Sequence, residues 1–104
     1  MQEKLKGFQR KYLRGLAHNM KPVVLIGQKG LIGTLIKAVD EELDRRELIK
    51  VKFNAFKDPE GKKGIVSAMT AQTSCEAVGM IGHTVILYRE NADPEKRCII
   101  LPAR

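Results

Sequence analysis

Residues 21–43 read KPVVLIGQKGLIGTLIKAVDEEL, and this stretch predicts a strand, a tight turn and a helix in succession. Residues 23–26 form a four-residue apolar run behind a proline, which is typical of a buried strand. Further along, apolar side chains recur at the spacing of one helix face, at Ile32, Leu35, Ile36, Val39 and Leu43. We therefore expect a helix from about residue 31 to residue 46.

The turn between this strand and this helix is Gly27-Gln28-Lys29-Gly30, a GxxG loop. Glycine at both ends lets the main chain approach a ligand without a Cβ in the way. The start of the following helix presents backbone N–H groups and the positive end of the helix dipole, which favour an anion. Lys29 adds a mobile positive charge. The loop is therefore a candidate seat for a phosphate backbone.

The net charge is +7 over 104 residues, and it is unevenly distributed. Residues 1–30 carry seven basic side chains and a single acidic one, Glu3, whereas the basic and acidic residues of the remaining chain nearly balance. A one-sided basic surface is the usual electrostatic feature of a nucleic-acid-binding protein. The alternative is a basic protein that has no polyanionic partner.

Residues 3–17 are predicted to form a helix that ends before Lys21-Pro22. The predicted core-facing stripe consists of Leu5, Phe8, Tyr12, Leu13 and Leu16. The predicted outer face is basic and consists of Gly7, Arg10, Lys11 and Arg14. If this helix lies beside the GxxG loop, Arg10, Lys11 and Arg14 extend the basic surface, together with Lys21.

The rest of the chain predicts one further strand and helix, then a hairpin and a short final strand. Residues 48–56 alternate as a half-buried strand with Lys50 and Lys52 on the solvent side. Asp58 and Pro59 then start a third helix that runs to about residue 74. Strands are expected at 75–81 and 84–89, and a short final strand at 98–101. We predict one α/β domain over residues 1–104.

A second GxxG segment, Gly61-Lys62-Lys63-Gly64, is more basic than the first. It also precedes a helical pattern, but no strand abuts it. Because a phosphate clamp is expected to connect a strand to a helix start, the context favours residues 27–30. Lys62 and Lys63 remain a secondary candidate contact.

Other chemistries find little support in the sequence. His18, Cys75, His83 and Cys98 lack the paired spacing of a metal site, and no catalytic or nucleotide-binding motif is present. We therefore expect no enzyme activity, no cofactor, no metal and no small-molecule substrate. The aromatic residues fall mostly at predicted core positions, so no base-stacking platform is expected. Without a secretory signal or an apolar run long enough to span a membrane, the chain is expected in the cytoplasm.

Four segments carry a resemblance that covers nearly the whole chain: LRGLAHNMKPVVLIGQKGL at 13–31, ELIKVKF at 47–53, GHTVILYR at 82–89 and ILP at 100–102. Together they resemble the CRM domain (chloroplast RNA splicing and ribosome maturation), in its stand-alone bacterial YhbY-type form. The resemblance implies a compact α/β fold, with a helix followed by β-α-β-α-β-β and a mixed sheet. That fold is similar to the C-terminal domain of translation initiation factor three.

The resemblance also implies RNA binding through Gly27, Gln28, Lys29 and Gly30 with help from nearby basic residues. Bacterial members of the family are associated with precursors of the large ribosomal subunit. His83 departs from the pattern, because a lysine is expected in that turn. The resemblance therefore implies a module that binds ribosomal RNA, and we expect it to be a monomer. The alternative is a protein–protein adaptor of the translation machinery whose basic face is incidental.

Overall fold

The computed structural model describes residues 5–103 and contains, within them, three α-helices and four β-strands. In chain order they are α1 (Gly7–Ala17), β1 (Val24–Ile26), α2 (Gly33–Arg46), β2 (Leu48–Phe53), α3 (Pro59–Thr73), β3 (Glu76–Ile81) and β4 (Thr84–Tyr88), followed by a 3₁₀ turn (Pro94–Lys96). The predicted order of a helix followed by β-α-β-α-β-β is confirmed.

The four strands form one mixed sheet in the order β1-β2-β4-β3. β1 pairs with β2 in parallel, whereas the other two pairs are antiparallel. This arrangement brings three segments to one end of the sheet: the GxxG loop after β1, the connection after β2, and the turn between β3 and β4. We call this end of the sheet the loop end. β1 and β3 are the edge strands.

Apolar side chains on the two faces of the sheet form two separate cores. α2 and α3 cover one face through Val39, Leu43 and Met69. The strand residues beneath them are Val24, Ile26, Ile49, Val51, Phe53, Val85 and Leu87. α1 covers part of the opposite face, where Leu13 and Ala17 pack on the side chains of Leu48, Val78, Ile86 and Tyr88. The strands alternate between the two cores as the two-residue period of a strand requires.

The predicted orientation of α1 is partly wrong. Leu13 is buried as predicted, but Phe8, Tyr12 and Leu16 are 37%, 42% and 42% exposed. Arg10 and Arg14, expected on the outer face, instead point to β3. Their guanidinium groups donate hydrogen bonds to the backbone carbonyls of residues 77 and 78, at 2.8 and 3.0 Å.

The side chain of Arg14 explains part of this rotation of α1. Its aliphatic portion covers Gly79, where a Cβ would lie 2.7 Å from Arg14 Cδ. β3 also has a register shift between Ala77 and Gly79, next to the carbonyls that the arginines reach. A helical pattern shows which side chains share a face, but it does not reveal that a glycine on a facing strand leaves room for an arginine stem.

The predicted strand at residues 98–101 is also wrong, because this segment is irregular. The N–H groups of Cys98 and Ile99 donate to one carboxylate oxygen of Glu47, at 2.5 and 3.0 Å. Glu47 ends α2 with a φ of 64° and is fully buried. An apolar run resembles a strand in sequence, and nothing local shows that a distant carboxylate satisfies its backbone donors.

The remaining differences concern the ends of elements. Residues 3 and 4 of the predicted first helix lie outside the described residues, and the described helix begins at Gly7. α2 starts two residues later than predicted, and β2 ends at Phe53 instead of residue 56. The predicted start of α3 is confirmed, because the Asp58 carboxylate accepts a hydrogen bond from the Gly61 N–H at 2.8 Å.

Candidate nucleic-acid interface

The GxxG loop is a tight turn that is fixed at one end and open at the other. The N–H of Gly30 donates to the carbonyl of Gly27 at 3.0 Å, and Gly30 has a φ of 70°. A Cβ on Gly30 would lie 3.3 Å from the ring of Phe56, so the ring packs against the backbone there. Gly27, Gln28 and Lys29 are exposed. The first three positions of the loop can therefore meet a ligand.

At the N-terminus of α2, no side chain of the described residues offsets the positive end of the helix dipole. Its N-cap residue is Ile32, which makes no side-chain capping bond, and no acidic residue lies in the first turn. α3 differs, because Asp58 caps it and Glu60 lies in its first turn. The segment 61–64 is itself helical, with the Gly61 N–H already bonded to Asp58. Of the two GxxG segments, residues 27–30 therefore have the geometry of an anion site.

An open groove of about 460 Å³ runs from this loop along the edge strand β1 and the first turns of α2. Its walls are mainly apolar, with the loop forming one end. The groove is lined by Val23, Val24, Leu25, Gly27, Gln28, Lys29, Gly30, Ile32, Thr34, Leu35 and Ala38. Among the described residues, the lining contains no aromatic side chain, so the groove offers apolar contacts beside the Lys29 cation without a stacking platform.

Further positive charge gathers beside the turn between β3 and β4. Lys62 Nζ donates to the Gly82 carbonyl at 3.2 Å and lies 3.3 Å from His83 Nδ1. Desolvation lowers the pKa of the His83 imidazole, and the positive charges of Lys62, Lys57 and Lys52 lower it further. Among residues 5–103, these three lysines and Lys29 form no ion pair.

Sequence reasoning missed Lys57. Its local context, a short connection between a strand and a helix, looks like an ordinary loop. The signal that could have identified it is topological. Because β2 runs parallel to β1, the connection after β2 must begin at the same end of the sheet as the GxxG loop.

The other basic residues predicted to bind RNA do not form one surface with the GxxG loop. Arg10 forms a 2.6 Å ion pair with Glu76 and is only 28% exposed, so its charge is largely neutralised. Lys11 lies on the outer side of α1, in a shallow apolar depression with Phe8, Tyr12, Gly15, Leu16 and Pro102. Lys21 is exposed before β1, at the opposite end of that strand from the loop. Lys63 is exposed in the first turns of α3.

Within the part of the chain that the structure describes, no cluster of histidine, cysteine, aspartate or glutamate could hold a metal ion. Burial raises the pKa of the Cys75 thiol, which keeps it protonated and poorly nucleophilic. Over residues 5–103, every helix is too short or too polar to cross a membrane.

The model of the CRS1 / YhbY (CRM) domain family matches residues 5–89. The chain belongs to this family. This CRM domain is 39% identical over 85 residues to an "RNA-binding protein" of Haemophilus influenzae, an alignment that covers 82% of this chain and 85% of the relative. It is also 35% identical over 100 residues to the "Probable RNA-binding protein YqeI" of Bacillus subtilis, covering 94% and 99% of the two chains.

Its fold is similar to the solution structure of the hypothetical protein SAV1595 from Staphylococcus aureus. The TM-score is 0.79 with 36% sequence identity, and the alignment covers 95% of this chain and all of the other chain. The α/β fold implied by the resemblance is thereby confirmed. The family match contains the GxxG loop and all four strands, and it ends before the C-terminal segment from residue 90 onward.

Proposed function

We propose that this CRM domain binds RNA and that its GxxG loop holds the phosphate backbone. One observation carries the proposal: an exposed glycine-flanked turn leads into a helix start that has neither a side-chain cap nor an acidic residue. Lys29 stands beside it without an ion pair in the described chain. Backbone donors, the helix dipole and a mobile cation then converge on one place, and a phosphate satisfies all three.

The groove beside β1 favours a single strand over a duplex. Its apolar lining offers contacts to exposed base faces, which a duplex keeps stacked inside. The names of the Haemophilus influenzae and Bacillus subtilis relatives are consistent with RNA as the partner. Affinity should rest mainly on phosphate contacts, so we expect it to fall steeply with salt.

For the cellular target, we propose ribosomal RNA within precursors of the large ribosomal subunit in the cytoplasm. The support is the association of bacterial family members with such precursors. The domain would act as a monomer that binds RNA without transforming it. Sedimentation of a cell extract on a gradient tests this: the protein should migrate with particles that contain immature large-subunit RNA. Migration only with free protein fractions contradicts it.

A protein–protein adaptor is the second candidate, and a specific observation favours it. Phe8, Tyr12 and Leu16 leave an exposed apolar stripe on α1, of the kind that protein partners cover. Salt separates the two functions, because an adaptor that binds through this stripe should not lose affinity steeply as the salt concentration rises.

The direct test of RNA binding compares Lys29→Asp with Lys96→Asp in a fluorescence titration of large-subunit RNA across several salt concentrations. Lys96 is a matched control because it lies in the C-terminal segment that is anchored to Glu47, away from the loop end. We expect Lys29→Asp to weaken binding and to reduce the slope of log affinity against log salt by about 1. Lys96→Asp should bind like wild type. Equal affinities for the two variants would contradict the loop's role.

A further inference from the structure

One line of residues across the sheet is left uncovered at the loop end. The strand registers place Leu25 opposite Lys52, Lys52 opposite Thr84, and Thr84 opposite Ile81. These four residues, which we call the open row, therefore run across all four strands. With neighbouring strands about 4.8 Å apart, the row is about 14 Å long.

The open row lies on the face of the sheet that α1 only partly covers. Its side chains alternate with Ile26, Val51, Phe53 and Val85, which are buried beneath α2 and α3. Nearer α1, the same face is closed: Ile86 is fully buried and Tyr88 is 2% exposed. In the open row, by contrast, Leu25 is 55% exposed and Ile81 is 59% exposed.

Positive charge surrounds these two apolar side chains. Lys52 stands within the row, and Arg14 lies over Gly79, two residues before Ile81 on β3. Beyond the row, the turn carries His83 with Lys62 beside it. The imidazole has a lowered pKa because it is desolvated and faces Lys62 on α3, Lys57 after β2 and Lys52 on β2. This cluster of positive charges makes a polyanion a better ligand for the surface than an apolar peptide segment.

We propose that the open row is a second contact surface for single-stranded RNA, on which unpaired bases pack against Leu25 and Ile81 while Lys52 meets a phosphate. It is continuous with the loop, because Leu25 also lines the groove that contains Lys29. A single strand is the occupant that fits, since it alone offers both exposed base faces and closely spaced phosphates. This inference rests on the proposed RNA-binding function and extends its footprint.

The test compares Ile81→Glu with Ile100→Glu, which is 88% exposed in the C-terminal segment. Both variants remove an exposed isoleucine and change the net charge equally, so only position distinguishes them. The probe is a fluorescent single-stranded oligouridylate. We expect Ile81→Glu to weaken binding about tenfold and Ile100→Glu to bind like wild type. Ile81→Thr, which keeps a β-branched side chain suited to a strand, should weaken binding about threefold and guards against a folding defect.

Each outcome bears on one proposal or on both. If Lys29→Asp loses affinity while both Ile81 variants bind like wild type, the open row is not an RNA surface, although the loop remains one. That result would leave this face for a protein partner. If wild-type protein binds neither oligouridylate nor large-subunit RNA, the proposed function and this inference both fail.

Discussion

At the scale of single residues, the two glycines of the GxxG loop have different roles. Gly30 needs its positive φ and has the Phe56 ring against it, so its role is in the fold. A Cβ added to Gly27 would have no atom within 4 Å, and this residue has no positive φ, so the folded chain itself does not require glycine there. Because the fold does not require glycine at position 27, the missing side chain there can instead serve the close approach of a ligand.

We therefore expect Gly27→Ala to raise the free energy of unfolding slightly, by about 0.4–1 kcal/mol, because alanine restricts the unfolded chain. RNA affinity should nevertheless weaken about tenfold, which corresponds to one lost hydrogen bond to a charged group. Gly30→Ala should instead lower the free energy of unfolding by about 1–2 kcal/mol because of its backbone conformation. Urea denaturation and RNA titration of both variants provide the measurement. Wild-type RNA affinity for Gly27→Ala would contradict close approach of the phosphate to this position.

Tyr88 makes the stability of the fold decrease at alkaline pH. Its hydroxyl is buried without a hydrogen-bond partner in residues 5–103. Burial, with a smaller effect of the negative charges of Glu47 and Glu90, raises the pKa of Tyr88 from 10.0 to about 12. Because the folded pKa is the higher one, the stabilising contribution is complete below about pH 10 and is lost as the pH rises toward about 12.

Tyr88→Phe should accordingly reduce the loss of thermal stability between about pH 9 and about pH 12, with little cost at neutral pH. Tyr12→Phe is the control, because Tyr12 is 42% exposed. Thermal unfolding followed by circular dichroism across this pH range provides the measurement. If Tyr88→Phe loses stability with pH as steeply as wild type, another group causes the alkaline loss.

At the scale of elements, Glu47 joins the end of α2 to the C-terminal segment. Its two carboxylate oxygens accept N–H bonds from Asn91, Cys98 and Ile99. Ile99 and Leu101 then pack against the core beneath α1. One buried carboxylate thus holds a segment without regular strand structure in place over that core.

Glu47→Gln replaces this charged acceptor with a neutral amide that has a single acceptor oxygen. We expect the free energy of unfolding to fall by about 2 kcal/mol, since hydrogen bonds to a charged group are lost. Hydrogen exchange should accelerate at residues 91, 98 and 99, while Glu95→Gln, at an exposed position, serves as the control. Unchanged exchange at these three amides would show that the segment is held by its apolar contacts alone.

The sequence was sufficient to predict elements whose information is local. The apolar run at 23–26, the stripe of α2 and the Asp58–Pro59 helix start all correspond to elements in the structure. The GxxG loop lies between a strand and a helix, as predicted. The wrong predictions concern residues whose contact partners are distant in sequence. Arg14 packs over Gly79, and Glu47 accepts hydrogen bonds from Cys98 and Ile99. The open row likewise depends on strand order and register, which local periodicity does not reveal.

Across the whole molecule, some basic residues are held in ion pairs, and others are exposed and have none among the described residues. Away from the loop end, Arg89 is 15% exposed and forms ion pairs with Asp40 and Asp44, which ties β4 to α2. Near the loop end, Lys29, Lys52 and Lys57 form no ion pair within residues 5–103. Charges of the first kind stabilise the fold, whereas those of the second kind remain available to a polyanion.

Chemical-shift mapping of the ¹⁵N-labelled protein with oligouridylate tests whether RNA binds at the loop end. We expect the largest amide shifts at residues 27–35, with further shifts at Lys52, Ile81 and His83. We expect little change at Glu47 or in the C-terminal segment. Shifts centred on Tyr12 and Leu16, with Gln28 and Lys29 unmoved, would exclude the loop end and assign binding to the outer face of α1.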